Sequence, residues 1–327
     1  MAVDQLQLTR SWQPRLYRCR PARPLVLRRK LSVMPEVPPV TTATPVHNAQ
    51  STVAAAIRSR LGQKYREWEL LILDDGSTDA TAEIVAAFRD ARLRFVVGVG
   101  NLGLAVRLNQ AISMAQGRFF ARMDADDIAY PLRLEAQVKF LEQHPECDLL
   151  GCGAVFFDDS GRLAGRFPLR RTHAEICSNP WRGFYLPHPT WMGRREWFAS
   201  NKYSEDYRKT QDQDLLLRTF DTSRFACLDN VLLGYRQERR TLSKLLRGRG
   251  YFARSVMSEA WRRRAWMAGI AGVAGQVARS VVDLVTVPFG LDRLVRGEDD
   301  ASLSVAEHEQ WQAVWAACVL EKASGTQ

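Results

Sequence analysis

Short apolar segments alternate with helical patterns through the first half of the chain, and this alternation limits its fold more than any other feature. Strands are predicted at Val37–Pro45, Glu69–Leu73, Leu93–Val97 and Phe119–Met123. A helical pattern follows each strand, and the clearest are Gly103–Met114 and Pro131–His144. Strand–helix–strand units of this spacing close by right-handed crossovers. The sequence therefore predicts an α/β fold with a mainly parallel sheet and helices on both faces.

Two clusters of acidic residues come directly after predicted strands. Asp74 and Asp75 follow the second strand, and Asp124, Asp126 and Asp127 follow the fourth. In open α/β sheets, ligands bind at the carboxyl ends of the strands. Three neighbouring acids repel one another unless a cation lies between them, and hard cations such as Mg²⁺ or Mn²⁺ prefer oxygen ligands. The pattern favours a divalent metal site, and an acidic loop that faces water is the alternative.

Composition places most of the chain in one domain and its basic residues at the flanks. The 327 residues suffice for one large α/β domain with appendages. The six cysteines include no Cys-x-x-Cys pair, which favours a reducing compartment and argues against a zinc site. Residues 1–36 contain eight Arg or Lys against two acids, and residues 237–264 contain nine against two. The net charge of +10 therefore does not belong to the core.

The N-terminal flank shows no periodicity of its own. Residues 1–36 are predicted to be a disordered or mis-assigned extension, with residues 1–33 preceding a true start at Met34 in the second case, because this flank has neither a helical nor a strand pattern. They also lack the long apolar stretch of a secretory signal. A basic arm for a membrane or a nucleic acid is the alternative.

The C-terminal flank, residues 247–327, is predicted to be a basic and apolar helical tail. Its apolar run 265–275 is too short to span a bilayer, and Gln276, Arg279 and Asp283 interrupt any extension. The run is expected either to lie at a membrane surface or to pack on the domain as an ordinary helix. One more helix is predicted at Val305–Ala323.

A glycine motif offers a competing interpretation. Residues 98–103 form a literal Gly-x-Gly-x-x-Gly between a strand and a helix, with Asp124 about 20 residues later. This is the fingerprint of a dinucleotide-binding oxidoreductase using NAD(P). Against it, the fingerprint normally follows the first strand, whereas this one follows the third, and a triple acid cluster suits a metal better than a ribose hydroxyl.

Four motifs in order, taken together, resemble the inverting family 2 glycosyltransferases of the non-processive branch. They are Pro45-Val46-His47-Asn48-Ala49, Leu73-Asp74-Asp75-Gly76-Ser77-Thr78-Asp79, Asn101-Leu102-Gly103 with Arg107 and Asn109, and Met123-Asp124-Ala125-Asp126-Asp127. The resemblance covers about residues 40–246. It implies a GT-A fold, which is a Rossmann-like nucleotide-diphospho-sugar transferase fold, with a catalytic domain at residues 37–246.

The resemblance also implies roles for individual residues. The expected metal ligands are Asp124, Asp126 and Asp127, and the expected catalytic base is Asp212, where Gln211 replaces the family's usual glutamate. The alternative is that Asp212 and Asp214 have no catalytic role and only interact favourably with the dipole of the helix that they begin. The residues expected to bind the nucleotide sugar are Pro45, His47, Asn48, Asp75, Asn101, Gly103, Arg107, Asp124 and Ala125.

The activity that the resemblance implies is transfer of one sugar, with inversion, from a UDP- or dTDP-type donor to an acceptor hydroxyl. Residues 237–241 echo the Gln-x-x-Arg-Trp of polymerising members but end in Thr241, which favours a single transfer. The expected acceptor is a carbohydrate or a lipid-linked molecule of surface polysaccharide, glycolipid or O-antigen biosynthesis, and His188 could contact its hydroxyl or be structural. Nucleic acid is not an expected partner. The expected location is the cytoplasm or the cytoplasmic face of the membrane. A degenerate sugar-nucleotide-binding scaffold is a further alternative.

Overall fold

The computed structural model describes residues 39–237, 241–289 and 303–319. The predicted N-terminal extension, residues 1–36, lies outside this range, as do residues 238–240 of the Gln-x-x-Arg echo. The strands are β1 Val40–Val46, β2 Trp68–Asp74, β3 Leu93–Val97, β4 Phe119–Arg122, β5 Ile128–Ala129, β6 Leu149–Phe157, β7 Leu163–Arg166, β8 Met192–Arg194 and β9 Phe225–Arg236. The helices are α1 Val53–Leu61, α2 Thr81–Ala87, α3 Leu104–Met114, α4 Arg133–Gln143, α5 His173–Ile176, α6 Arg195–Ser200, α7 Gln211–Thr219, α8 Leu242–Arg263, α9 Trp266–Thr286 and α10 Val305–Val319.

Within the described residues the strands form one nine-stranded mixed sheet. Its order is β3-β2-β1-β4-β8-β6-β9-β5, and β7 pairs with β6 outside this path. The four strands β3, β2, β1 and β4 are parallel, as predicted. The second half is mixed, because β8 runs antiparallel to both β4 and β6 while β9 is parallel to β6. The α/β class with helices on both faces is confirmed, and β6 and β7 form an antiparallel pair.

Alternation along β2 explains why helices cover both faces. Leu71 and Leu73 join one core cluster with α3, α6 and α7, whereas Leu70 and Ile72 join the other with α1 and α4. Since neighbouring strand residues point to opposite faces, a strand apolar at every position must be buried on both sides. All seven residues of β2 are buried. This arrangement leaves the carboxyl ends of β1, β2 and β4 free to carry a site.

The C-terminal helices pack on this core. Trp311 of α10 is fully buried against Tyr130 and Phe157, and its indole nitrogen donates to the Gly161 carbonyl oxygen at 2.6 Å. Phe252 and Val256 of α8 join the cluster that contains α7. The predicted domain boundary at residue 246 falls inside α8, and it stays a prediction.

The prediction that the apolar run of the tail is too short for a membrane-spanning helix was wrong by length and composition. Helix α9 continues unbroken for 21 residues, and among the described residues it is the one helix long and apolar enough to cross a membrane by length and composition. Gln276 and Asp283 do not end it, because both side chains are buried on the side facing α8. There Arg249 donates to Asp283 at 2.5 Å and to Gln276 at 3.5 Å.

Replacing Ser255 with alanine is expected to lower the free energy of unfolding by about 1–3 kcal/mol. The Ser255 hydroxyl donates at 2.6 Å to Asp214, which is buried on α7, so the variant leaves one oxygen of a buried carboxylate without that donor. Ser258→Ala, at an exposed position of the same helix, is the matched control. Equal urea midpoints for the two variants would contradict this account of how α8 is held to α7.

Candidate active site

The loops after β1 and β2 are joined by backbone and side-chain hydrogen bonds. The Asn48 side-chain oxygen accepts from the Thr78 amide at 2.9 Å, and the Asn48 amide donates to the Ser77 hydroxyl at 3.0 Å. Asn48 has a positive φ of 50°, a conformation that asparagine tolerates better than most residues. Pro45 and His47 line the adjoining cleft beside it. These contacts give the cleft one fixed wall.

Asp75 is the centre of a second buried network. Its two carboxylate oxygens accept from the amides of Leu102 and Gly103 and from the Arg107 guanidinium, each at 2.8 Å. The structure therefore brings together three predicted residues, Asp75, Gly103 and Arg107, while Asn101 lies exposed on the same loop. Asp75 holds the loop before α3 against the end of β2.

The predicted metal ligands form a compact cluster. One oxygen each of Asp124, Asp126 and Asp127 can be chosen so that all lie within 4.8 Å of one another. Burial, and then the negative charges of Asp126 and Asp124, raise the pKa of Asp127 well above its usual value. The Asp127 Oδ1 atom accepts from the Arg236 amide at 3.0 Å, whereas its buried Oδ2 atom has no hydrogen-bond donor among the described residues. An all-oxygen donor set with an unsatisfied buried oxygen fits a divalent cation.

Arg122 lies immediately behind this cluster. It is completely buried, and its guanidinium pairs with both oxygens of Asp124. One of the three carboxylates therefore has a cationic partner within the protein itself.

Two adjoining clefts meet at Asp124. The larger, of ≈ 730 Å³, is lined by His47, Asp124 and Asp126, and the smaller, of ≈ 310 Å³, is lined by Asp212 and His188. The residues common to both are Asp124, Phe167 and Tyr235. A molecule in one cleft can therefore reach a molecule in the other across the end of β4.

Helix α7 separates the two acids in its first turn. Asp214 points inward, where it binds Ser255 and accepts from Arg218 at 2.8 Å. Asp212 points into the smaller cleft, and burial raises the pKa of its carboxyl group above the usual value. The side-chain amide of Gln213 donates to the Asp212 carboxylate at 3.4 Å and to the Phe184 carbonyl oxygen at 3.3 Å. These bonds connect helix α7 to the segment at Phe184, which also lines the smaller cleft. Neighbouring Gln211 is buried as well.

His188 shares a hydrogen bond with a buried tyrosine. Its Nε2 atom lies 2.9 Å from the Tyr203 hydroxyl, and its ring packs edge-on against Trp191. Burial, and then the nearby Arg122 charge, lower the pKa of His188 well below its usual value, so the ring is neutral at pH 7. These contacts support the structural interpretation of His188, while its place in the lining of the smaller cleft leaves it within reach of a ligand there.

Comparison with known proteins agrees with this geometry. The family model "Glycosyl transferase family 2" matches residues 41–201. EpsE of Bacillus subtilis, whose name describes it as a glycosyltransferase, is 35% identical over 190 residues, which are 56% of this chain and 67% of EpsE. The chain belongs to glycosyltransferase family 2. The predicted family and activity class are thereby confirmed.

Other relatives share part of their length with this glycosyltransferase. The UDP-Glc:alpha-D-GlcNAc-diphosphoundecaprenol beta-1,3-glucosyltransferase WfgD of Escherichia coli is 33% identical over 142 residues, 43% of this chain and 55% of WfgD. The uncharacterized glycosyltransferase MJ1057 of Methanocaldococcus jannaschii is 31% identical over 171 residues, 51% of this chain and 59% of MJ1057.

Solved structures confirm the GT-A type of fold. Residues 1–349 of S. aureus TarS in complex with UDP-GlcNAc superpose with a TM-score of 0.56 at 17% identity, covering 86% of this chain and 81% of that one. The mannosyltransferase PcManGT from Pyrobaculum calidifontis, in complex with GDP-Man and Mn²⁺, gives 0.54 at 16% identity, covering 90% and 89%.

Close packing requires Gly98, one of the three glycines that suggested an oxidoreductase, and also Gly76 on the neighbouring loop. A Cβ at Gly98 would collide with the Asp74 carbonyl oxygen and the Arg107 guanidinium. Gly76 has a φ of +74°, and a Cβ there would lie 2.8 Å from the Gly100 carbonyl carbon. The glycines thus allow the loops after β2 and β3 to lie in contact. The dinucleotide interpretation loses its support.

Sequence reasoning missed part of the cleft of this glycosyltransferase. Phe167 and Tyr235 pack edge-to-face at 5.4 Å where the two clefts meet, and Arg236 donates to the Asp126 carbonyl oxygen at 3.1 Å. Tyr235 and Arg236 reach the site because β9 pairs with β5, directly after the acidic cluster, whereas Phe167 follows β7 and its amide donates to the Ala154 carbonyl oxygen of β6. The sequence carries no local signal of this pairing.

Proposed function

We propose that this glycosyltransferase transfers one sugar, with inversion, from a nucleotide-diphosphate donor to an acceptor hydroxyl. The observation that carries the proposal is the meeting of the clefts at Asp124, which connects the acidic cluster to the one acid of α7 that faces a cleft. A donor in the larger cleft and an acceptor in the smaller one would bring the reacting atoms together beside Tyr235.

The proposed donor site consists of the fixed wall and the acidic cluster. Pro45, His47 and Asn48 would contact the nucleotide, with His47 stacking on the base, while Asp124 and Ala125 contact the diphosphate side. Asp75, Arg107 and Gly103 would position the loop that carries Asn101 over the base. A UDP- or dTDP-type donor is favoured, and TarS with UDP-GlcNAc supports the first.

Asp124, Asp126 and Asp127 would hold Mg²⁺ or Mn²⁺. The chemistry that such a cation supplies is stabilisation of the negative charge on the departing nucleoside diphosphate. The protein's own contribution is to keep three carboxylates close together, with the Arg122 guanidinium behind them.

Asp212 would act as the general base. A sugar hydroxyl is a weak nucleophile at neutral pH, so a carboxylate must accept its proton as the oxygen attacks the anomeric carbon. The raised pKa of Asp212 makes it a better proton acceptor than an ordinary aspartate. Gln213 would hold the carboxylate in place, and attack from the side opposite the leaving group inverts the anomeric centre.

The proposed acceptor is a carbohydrate or a lipid-linked molecule in surface polysaccharide, glycolipid or O-antigen assembly. The name of WfgD specifies an acceptor of the lipid diphosphate class. The proposed location is the cytoplasm or the cytoplasmic face of the cell membrane.

Incubation of the protein with UDP-, dTDP- and GDP-sugars, with and without Mn²⁺, tests the proposal. Mass spectrometry should detect a nucleoside diphosphate released from one of these donors in a metal-dependent way. Thermal stabilisation by a donor without any turnover, even with sugar and lipid acceptors present, would support the scaffold alternative. Stabilisation by NAD alone would reject the proposal.

A further inference from the structure

Helix α9 buries the side chains of Gln276 and Asp283 and exposes most of its large apolar ones. Gln276 and Asp283 are 4% and 3% exposed, whereas Met267 and Ile270 are 80% and 58% exposed. The exposed apolar residues on one side of the helix, named here the α9 face, are Met267, Ile270, Val277, Val281, Leu284 and Val285. Soluble proteins rarely leave a contiguous apolar surface of this length open to water, and such surfaces mark contacts with a protein or a membrane.

Buried polar contacts fix the rotation of α9. The Arg249 guanidinium donates to Asp283 and Gln276, and Arg279 donates to the Arg182 carbonyl oxygen at 2.9 Å. Turning the helix to hide its apolar side would break these bonds and leave buried polar groups unpaired. Small residues at Gly269 and Gly272 extend the contact along the helix, against Ala260 and the Trp181 carbonyl. Helix α9 therefore lies along the domain instead of leaving it to cross a bilayer.

The surroundings of the α9 face are cationic. Residues 241–289 contain eight Arg or Lys and two acids, and both acids, Glu259 and Asp283, are buried in ion pairs with arginines. Within this described segment no acidic side chain is exposed. At the N-terminal end of α9, Trp261 is 71% exposed and packs edge-to-face on Trp266. Tryptophan concentrates at membrane–water interfaces, and basic residues attract anionic headgroups.

We propose that the α9 face docks this glycosyltransferase on the surface of an anionic lipid bilayer. A second copy of the chain is a poorer occupant, because two such faces would bring cationic rims together without acidic partners. A bilayer satisfies both features at once, with acyl chains against the apolar side chains and headgroups against the exposed Arg264.

Docking would also orient the smaller cleft. Helix α9 holds the short 3₁₀ turn Pro180–Arg182, and the chain continues directly into residues 184–188, which line the cleft of Asp212. Insofar as the proposed function holds, the turn that leads into the acceptor cleft lies against the inner side of the helix that contacts the lipid. This position favours an acceptor that is itself attached to a lipid.

Cosedimentation with vesicles tests the docking without any donor or acceptor. The full-length protein is mixed with vesicles of phosphatidylcholine, alone or in equal parts with phosphatidylglycerol, at low and high salt. The triple variant Ile270→Gln, Val277→Gln, Val281→Gln should reduce capture by the mixed vesicles at least about 10-fold, because it removes apolar contact while glutamine keeps helix propensity. The double variant Leu132→Gln, Val305→Gln changes exposed apolar residues elsewhere and should not alter capture.

The charge contribution is measured separately. Arg264→Asn should weaken capture by about five-fold at low salt and by less at high salt. Asparagine suits position 264, which has a φ of 56°.

Three results would overturn the docking proposal: no capture of the wild-type protein, equal capture of the triple variant and the wild type, or a wild-type dimer that the triple variant converts to a monomer. Donor-induced thermal shifts, recorded for every variant, confirm folding and keep this test distinct from that of the proposed function. A protein that binds vesicles but releases no nucleoside diphosphate would refute only the latter.

Discussion

Replacing Asp212 with asparagine is expected to lower turnover by about 10²–10⁴-fold while donor affinity changes only a few-fold. The substitution keeps the shape of the side chain and its contact with Gln213 but removes the carboxylate that would accept the acceptor's proton. Because Asp212 lies in the smaller cleft, away from His47 and its fixed wall, the donor site should be unaffected. Steady-state kinetics with saturating donor, together with donor-induced thermal shifts, measure the two effects separately.

Asp214→Asn is the matched control, since it changes an acid two residues away on the same helix. Asp214 is bonded to Ser255 and Arg218 in the interior, so this variant should lose stability and keep most of its turnover. The pH profile gives an independent check. The wild-type rate should fall as the pH drops through the raised pKa of Asp212, at a higher pH than an ordinary aspartate would give. Normal turnover in Asp212→Asn would reject the assignment of the base.

Replacing Asp126 with alanine is expected to weaken Mn²⁺-dependent donor binding by at least about 100-fold. This loss is larger than the loss of metal affinity that typically follows when a residue that only hydrogen-bonds to a metal ligand is replaced. The variant removes one of three clustered oxygen ligands. It should not unfold the protein, because Asp126 is only partly buried and its removal relieves repulsion with Asp127. A calorimetric titration of Mn²⁺ into the protein in the presence of a nucleoside diphosphate measures the loss directly.

Asp159→Ala controls for the general negative potential of the cleft. Asp159 lines the larger cleft and pairs with Arg236 at 2.9 Å, but it is not part of the cluster of three acids. Its replacement should leave Mn²⁺ affinity within a few-fold. Equal losses in both variants would mean that charge alone, and not coordination by Asp126, accounts for the effect.

Local sequence patterns correctly predicted the first half of the sheet. The strands of residues 40–122 are apolar and short, and the helices between them have clear starts and ends, so neighbouring residues alone define each element. The acid clusters were placed correctly for the same reason, because the carboxyl ends of parallel strands share one edge of the sheet. The separation of Asp212 from Asp214 also followed from the sequence, since residues two apart on a helix face different directions.

The second half depended on contacts between distant parts of the chain. Strand β8 entered the sheet between β4 and β6, and β9 carried Tyr235 and Arg236 to the acidic cluster. Helix α9 continued through Gln276 and Asp283 because Arg249 of another helix binds both side chains. None of these partners lies close in sequence.

The sequence by itself thus determined the class of fold, the family, the acidic cluster and the acid proposed as the base. Only the tertiary structure decided that the two clefts meet at Asp124, that Asp75 is bound to the loop before α3, and that α9 exposes its apolar side. The physical reason is that hydrophobic periodicity and strand ends are properties of neighbouring residues, whereas the walls of a cleft and the buried partner of a polar side chain come from segments that only folding brings together.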